Sequence, residues 1–294
     1  MRTVGRRLLL IVLLLALALL TYGWFLTQKV VTAEDAVSLA LPNDKTDDWY
    51  AELDTRRRQA EYDGDVQAAR SSELAEARRQ VESTLSENGI GAVYIPSAGI
   101  SQPLLAGTSH EVLLNGVGTP NADQVLGRGL FVGLAHEMPD PDQLLGHLGE
   151  TDMGGDVYFT DFDRVYRYQV THNDVVHMTQ GELLEEPAPG QPARFVLYRC
   201  EGGYGTEYRQ VVAGDFQESE LVTEAEDAVL EGLGLTVLEE ENQSEETESE
   251  TEFDELDDRS FLADKALAFY GQVGSRPWLS LLVFVMALGL YVML

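Results

Sequence analysis

Between Ile90 and Phe216 the chain repeats one pattern: a short apolar, β-branched run, then Gly, Pro, Asn or Asp. "GAVYIP", "SQPLLAG", "GLFVGLAH", "GDVYFTD", "RVYRYQVTH", "ARFVLYRC" and "YRQVVAGDF" follow one another in this way. Runs of this length and composition form strands, and the breakers between them form turns. Helical spacing is confined to "SHEVLLNG" and to "DQLLGHLGE" after Pro141. Many short strands with few helices restrict residues 88–217 to an all-β domain, either a closed barrel or a sandwich.

The flanks read differently. Residues 8–28, "LLLIVLLLALALLTYGWFLTQ", carry no charge and follow Arg2, Arg6 and Arg7. That length crosses a bilayer as a helix, and the basic end stays on the cytoplasmic side. A cleaved signal peptide ending near Ala33 competes with this reading, but the apolar run is long for one. Residues 1–28 are therefore expected to be a retained anchor, with the following chain outside the cell. A second uncharged run, residues 277–294, is expected to be another membrane segment. Residues 29–87 form a polar linker and a stalk. Within the linker Leu74, Ala77, Val81 and Leu85 recur at helical spacing, which predicts one helix from Val66 to Leu85.

Residues 218–258 hold eighteen Asp or Glu and no Lys or Arg. Such a stretch repels itself, and residues 218–276 are expected to be a disordered acidic spacer. The net charge of −30 excludes nucleic acid as a partner, because phosphate binding needs clustered cations. No spacing of acidic residues matches a calcium loop, so neither metal nor cofactor is expected.

Cys200 is the single cysteine. A lone thiol is more often a small buried hydrophobe than a nucleophile. Here it closes a strand against the glycine-rich "EGGYGTE", with Arg199 before it and Arg209 beyond. Nearby cations favour a thiolate. Strand alternation puts Val196, Tyr198 and Cys200 on one face and Phe195, Leu197 and Arg199 on the other. Arg209 shares its face with Val211 and Ala213. A thiolate also needs a proton carrier. Of His110, His136, His147, His172 and His177, His136 alone ends an apolar strand and is the expected partner; the other four read as surface histidines.

At this point the chain resembles the sortase family. "IPSAGISQPLLAGTSHEVLLNGVGT" resembles the opening of a sortase domain, and "DQVLGRGLFVGLAH" resembles the class A segment that carries the catalytic histidine. "GDVYFTDFDRVYRYQV" is similar to the next hairpin, and "VLYRC…YR" resembles the family's Thr-Leu-x-Thr-Cys…Arg signature. The resemblance implies a closed eight-stranded β-barrel and a cysteine transpeptidase, with His136, Cys200 and Arg209 catalytic. The enzyme would cleave an LPXTG-like sorting signal between Thr and Gly and pass the acyl group to a cell-wall amine. Leu134, Ala135, Tyr198 and Arg199 are the expected substrate contacts. The sequence departs from the family at Arg199, which stands where threonine is usual, and at Ala135, where glycine or serine is usual. Since Arg199 faces away from the thiol, Arg199→Thr is expected to be tolerated. A pilin-polymerising sortase, and an inactive peptide-binding module tethered to the membrane on the same barrel, are the rival readings.

Overall fold

The computed structural model describes residues 2–27, 31–40, 47–64, 69–138, 140–203, 205–235, 262–271 and 273. Contacts divide the chain into two units. One comprises residues 1–29, 70–80 and 247–294, the other residues 30–69 and 81–246.

The first unit holds the helix α1 (Arg2–Thr27). Ile11, Leu14, Leu15, Trp24 and Phe25 on it are each more than half exposed. Among the described residues no helix is long and apolar enough to cross a membrane; the side chains of residues 2–10 and Leu13 lie outside that description. The segment 277–294, expected as a second membrane segment, also lies outside the described residues.

The second unit begins with α2 (Ala33–Ala40) and α3 (Asp47–Gln59). The helix predicted over residues 66–85 is two helices, α4 (Ser71–Arg79) in the first unit and α5 (Val81–Asn88) in the second. The break falls at Gln80, where φ −107° and ψ 8° leave the helical region and the N–H turns back to Ala77 O. A single stalk is therefore absent. Val81 and Leu85 pack instead with Val31, Leu105 and Val112, because a larger apolar surface was on offer there than along one isolated stripe. In the first unit, residues 262–271 are helical, and Asp264 holds the Arg79 guanidinium at 2.6 Å.

Then come β1 (Gly89–Ile95), β2 (Ile100–Ala106), α6 (His110–Asn115), β3 (Val117–Thr119) and β4 (Leu130–Ala135). They are followed by β5 (Asp156–Thr160), β6 (Arg164–His177), β7 (Arg194–Cys200), β8 (Tyr208–Leu221) and α7 (Asp227–Gly232). The sheet closes in the order β1-β2-β3-β4-β7-β8-β6-β5. The architecture is thus a closed eight-stranded barrel with short helices. The strand that the apolar runs do not mark is β3, three residues long and set among the glycines of "NGVGT".

The interior is aromatic. Phe159 makes ring contacts with Phe131, Tyr168 and Phe195 at centroid distances of 5.5, 5.4 and 5.3 Å. These residues come from four strands, and Phe195 lies on the face opposite Cys200, as the alternation along β7 predicts. Gly214 admits this packing, since a Cβ there would stand 2.6 Å from Phe195 Cε1 and 2.4 Å from Gln169 O.

Two segments depart from expectation. "DQLLGHLGE" is not a helix but a series of turns ending in a 3₁₀ turn at Leu148–Glu150, with Leu144 at φ 51°. The acidic stretch is not disordered from residue 218. Residues 218–221 complete β8, which pairs with β6 as far as Arg164↔Leu221, and α7 follows. Pairing with a long neighbouring strand outweighs the local repulsion of like charges; residues 236–261 lie outside the described part.

Candidate active site

Three adjacent strands end at the same place. β4 and β7 run parallel in register, Leu134 beside Tyr198 and Ala135 beside Arg199. The paired register ends at Ala135 and Arg199, and His136 and Cys200 are the next residue on each chain. Parallel neighbours in register present side chains to the same face, with backbones about 4.8 Å apart. β8 runs antiparallel on the other side of β7, with Cys200 directly opposite Arg209. The parallel β4–β7 pairing could not be read from the sequence, because the strands that form it are separated by β5 and β6.

Both reactive side chains are enclosed: Cys200 is 2% and His136 1% exposed. Cys200 packs with Leu113, Leu134 and Tyr198. The His136 N–H donates to Leu113 O at 3.2 Å, so α6 is attached to the histidine and packed on the cysteine. The His136 Nε2 lies 3.0 Å from Nδ1 of His110, the first residue of that helix. His110 was read as a surface histidine. It is exposed, but its ring faces the site because α6 crosses the end of β4. Nothing in its local sequence signals this.

Glu137, next along the chain, holds the β7–β8 connection. Its carboxylate accepts from the N–H groups of Gly203 at 2.8 Å and Gly202 at 3.4 Å. Both glycines have φ near +90 to +105°, a conformation open to glycine and costly for other residues. On the other side, Glu137 O accepts from Ala69 N at 2.9 Å, and Glu61 O accepts from Thr108 N at 2.7 Å. The polypeptide before the barrel therefore runs close to the residues that flank His136 and His110.

The two arginines divide as strand parity predicts. Arg199 faces away from the thiol. Its Nε and Nη2 donate to Leu145 O at 2.8 Å and Gly146 O at 2.9 Å, its Nη1 donates to Cys200 O at 2.7 Å, and Glu201 pairs with it at 2.9 Å. Only 11% of the side chain is exposed. Arg199 and Ala135 were expected to touch substrate; strand alternation puts both on the face opposite the thiol, Ala135 is buried and the Arg199 guanidinium is engaged by backbone carbonyls. Arg209 lines a groove of about 210 Å³ with Val176, Leu183, Tyr198 and Val211, and its Nη1 donates to Thr206 O and Tyr208 O. Tyr198 also borders a second concavity of about 600 Å³ with Asp123, Arg128, Leu130 and Val132. Leu134, also an expected substrate contact, is buried in one cluster with Cys200, and Tyr198 packs against that cluster. Among the described residues no group of three His, Cys, Asp or Glu could hold a metal ion.

A thiol, an imidazole and a guanidinium gathered at one strand edge suit nucleophilic acyl transfer: one attacks, one carries the proton, one meets the oxyanion. The family model for the Sortase domain matches residues 93–217. The chain contains a sortase domain. Sortase A of Listeria monocytogenes is 28% identical to it over 134 residues, 46% of this chain and 59% of that protein. Sortase A of Bacillus anthracis is 29% identical over 126 residues, 43% of this chain and 59% of that protein. The match thus spans somewhat over half the length of these two relatives. Among solved structures, Listeria monocytogenes sortase A aligns at 25% identity with a TM-score of 0.46, covering 51% of this chain and 99% of that one. The sortase domain contains His136, Cys200 and Arg209; His110 lies within the same matched region.

Proposed function

We propose that this sortase is a cysteine transpeptidase acting on secreted proteins that carry an LPXTG-like sorting signal. The observation that carries the reading is the convergence of His136, Cys200 and Arg209 at the ends of three adjacent strands, beside a groove floored by Tyr198. The Cys200 thiolate attacks the Thr carbonyl carbon. The resulting oxyanion is met by the Arg209 guanidinium, whose planar fork suits oxygen acceptors. The C–N bond then breaks, the departing amine of Gly takes the proton from His136, and a thioester remains. A cell-wall amine attacks the thioester, gives its proton to His136 and releases the Cys200 thiolate.

The uncharged run 8–28, lying within or next to α1, with its bare leucines and the arginines before it, supports an anchor in the cell membrane with the barrel outside. That position suits an enzyme whose substrates are exported.

The test uses the full chain in detergent with an internally quenched Leu-Pro-Glu-Thr-Gly peptide and triglycine as amine acceptor. Cleavage, a peptide–enzyme thioester seen by mass spectrometry, and a ligated product are expected, and Cys200→Ala should abolish all three. Equal cleavage by Cys200→Ala would overturn the mechanism. Cleavage without ligated product for any amine would leave a hydrolase instead.

A further inference from the structure

We propose that His110 is a positioning residue for the sortase reaction: its Nδ1 holds the Nε2 edge of His136, so that all proton transfer at the thiol and the substrate amine runs through His136 Nδ1. The inference rests on the transpeptidase reading above and assigns a role to a residue outside the His136–Cys200–Arg209 set.

The two imidazole nitrogens stand 3.0 Å apart, within hydrogen-bond range, and the rings are tilted by 58° with centroids 4.9 Å apart. Edge meets edge; the rings are not stacked. The contact is held from both sides. His136 is fully enclosed, and its backbone N–H is tied to Leu113 O. His110 begins the same short helix, whose Leu113 N–H returns to Ser109 O and whose Val112 N–H is capped by the Ser109 hydroxyl. The helix that fixes the His136 backbone therefore also fixes the partner of its ring.

Donor and acceptor in this contact follow the tautomers, and one arrangement serves both half-reactions. When His136 is the imidazolium that will protonate the leaving amine, both of its nitrogens can only donate. The Nε2–H then needs an acceptor, and the Nδ1 lone pair of neutral His110 is that acceptor. Neutral His110 then carries its own proton on Nε2. When His136 has given up its proton and serves as base for the incoming amine, the same His110 tautomer still accepts from Nε2–H. The Nδ1 lone pair of His136 then takes the proton. One state of His110 thus serves both half-reactions, and no tautomer change of His136 is needed between them. Uncharged His110 takes the place that a carboxylate fills in a serine-protease triad.

The experiment uses the full chain, labelled with ¹⁵N-histidine, in detergent micelles. Two-bond ¹⁵N–¹H correlation spectra identify which nitrogen of each ring carries the proton, and His136→Gln assigns the His136 signals. Neutral wild-type His136 should show the proton on Nε2. His110→Leu, which fills the space without an acceptor, should give a mixture of the two tautomers. His110→Asn, whose amide oxygen can accept, should restore much of the Nε2–H form. With the peptide and triglycine, kcat of His110→Leu should fall about 10- to 100-fold, as is typical when a supporting hydrogen bond is removed. KM should stay within about threefold, since His110 acts on the proton carrier and not on the peptide. His110→Asn should recover part of the loss. Wild-type His136 protonated on Nδ1, or nitrogen signals unchanged in His110→Leu, would overturn the proposal, as would an unchanged kcat. The spectra need no substrate. A fixed Nε2–H tautomer in a protein that turns over no peptide would therefore count against the transpeptidase reading, not against the pairing of the two histidines.

Discussion

Cys200 lies directly opposite Arg209 across the antiparallel β7–β8 pair, while Arg199, its covalent neighbour, points to the other side of the sheet. One arginine therefore shares the thiol's face, and the other serves the loop beneath it. Arg209→Ala should lower single-turnover acylation about 100- to 1,000-fold, the usual loss for one oxyanion donor. Arg209→Lys keeps the charge but loses the fork and should remain well below wild type. Rapid-quench trapping of the thioester, with circular dichroism to confirm folding, measures both. Normal acylation by Arg209→Ala would remove it from the site.

Arg199 should matter for stability. Its guanidinium gathers the carbonyls of Leu145, Gly146 and Cys200 and pairs with Glu201. It thereby holds a turn in which Leu144 sits at φ 51°, a strained value for leucine. Threonine cannot reach these carbonyls, and each buried acceptor left alone costs about 1–3 kcal/mol. Contrary to the sequence expectation, Arg199→Thr should lower the melting temperature, on the order of 10 °C for a domain of this size. A scanning-calorimetry trace matching wild type would refute this.

Glu137 should control the β7–β8 connection. Glu137→Ala removes the acceptor of the Gly202 and Gly203 N–H groups. Amide hydrogen exchange at residues 201–206 should quicken about tenfold, equivalent to losing a hydrogen bond of about 1.4 kcal/mol. Glu137→Gln, which keeps an acceptor oxygen, should fall between the two. Identical exchange in Glu137→Ala would show that the glycines hold the loop unaided.

His147 gives a pH signature. Its ring N–H groups donate to the carboxylates of Asp142 at 2.8 Å and Glu150 at 2.7 Å, and these bonds, Asp142's first, raise its pKa above the ordinary histidine value. A raised folded-state pKa stabilises the fold fully below the unfolded value of about 6.5, and the gain is lost as pH rises through the folded value. The side chain is 35% exposed, so screening limits the effect to no more than about 1 kcal/mol. The melting-temperature difference between wild type and His147→Gln should be largest below about pH 6.5 and shrink as pH rises above it. A difference that grows with pH would reverse the assignment.

Seven strands, the inward and outward faces of β7 and the separation of Arg199 from Arg209 were legible in the chain itself. Each follows from alternation along a single strand, which is a local property. The two strands that flank "EGGYGTE" were legible too, while the register that sets Cys200 opposite Arg209 comes from the folded sheet. What the sequence could not reveal was non-local. The parallel β4–β7 register that places His136 beside Cys200 exists only once the barrel closes. β3 is too short to show a period, and the helix over residues 66–85 breaks because its two halves belong to different units. Arg199 acquires its role from carbonyls of a turn that the spacing of "DQLLGHLGE" had marked as helical. His110 reaches His136 because Leu113 docks α6 over the end of β4. No pattern within "SHEVLLNG" encodes that contact, since its cause is the packing of one element on another and not the preference of either.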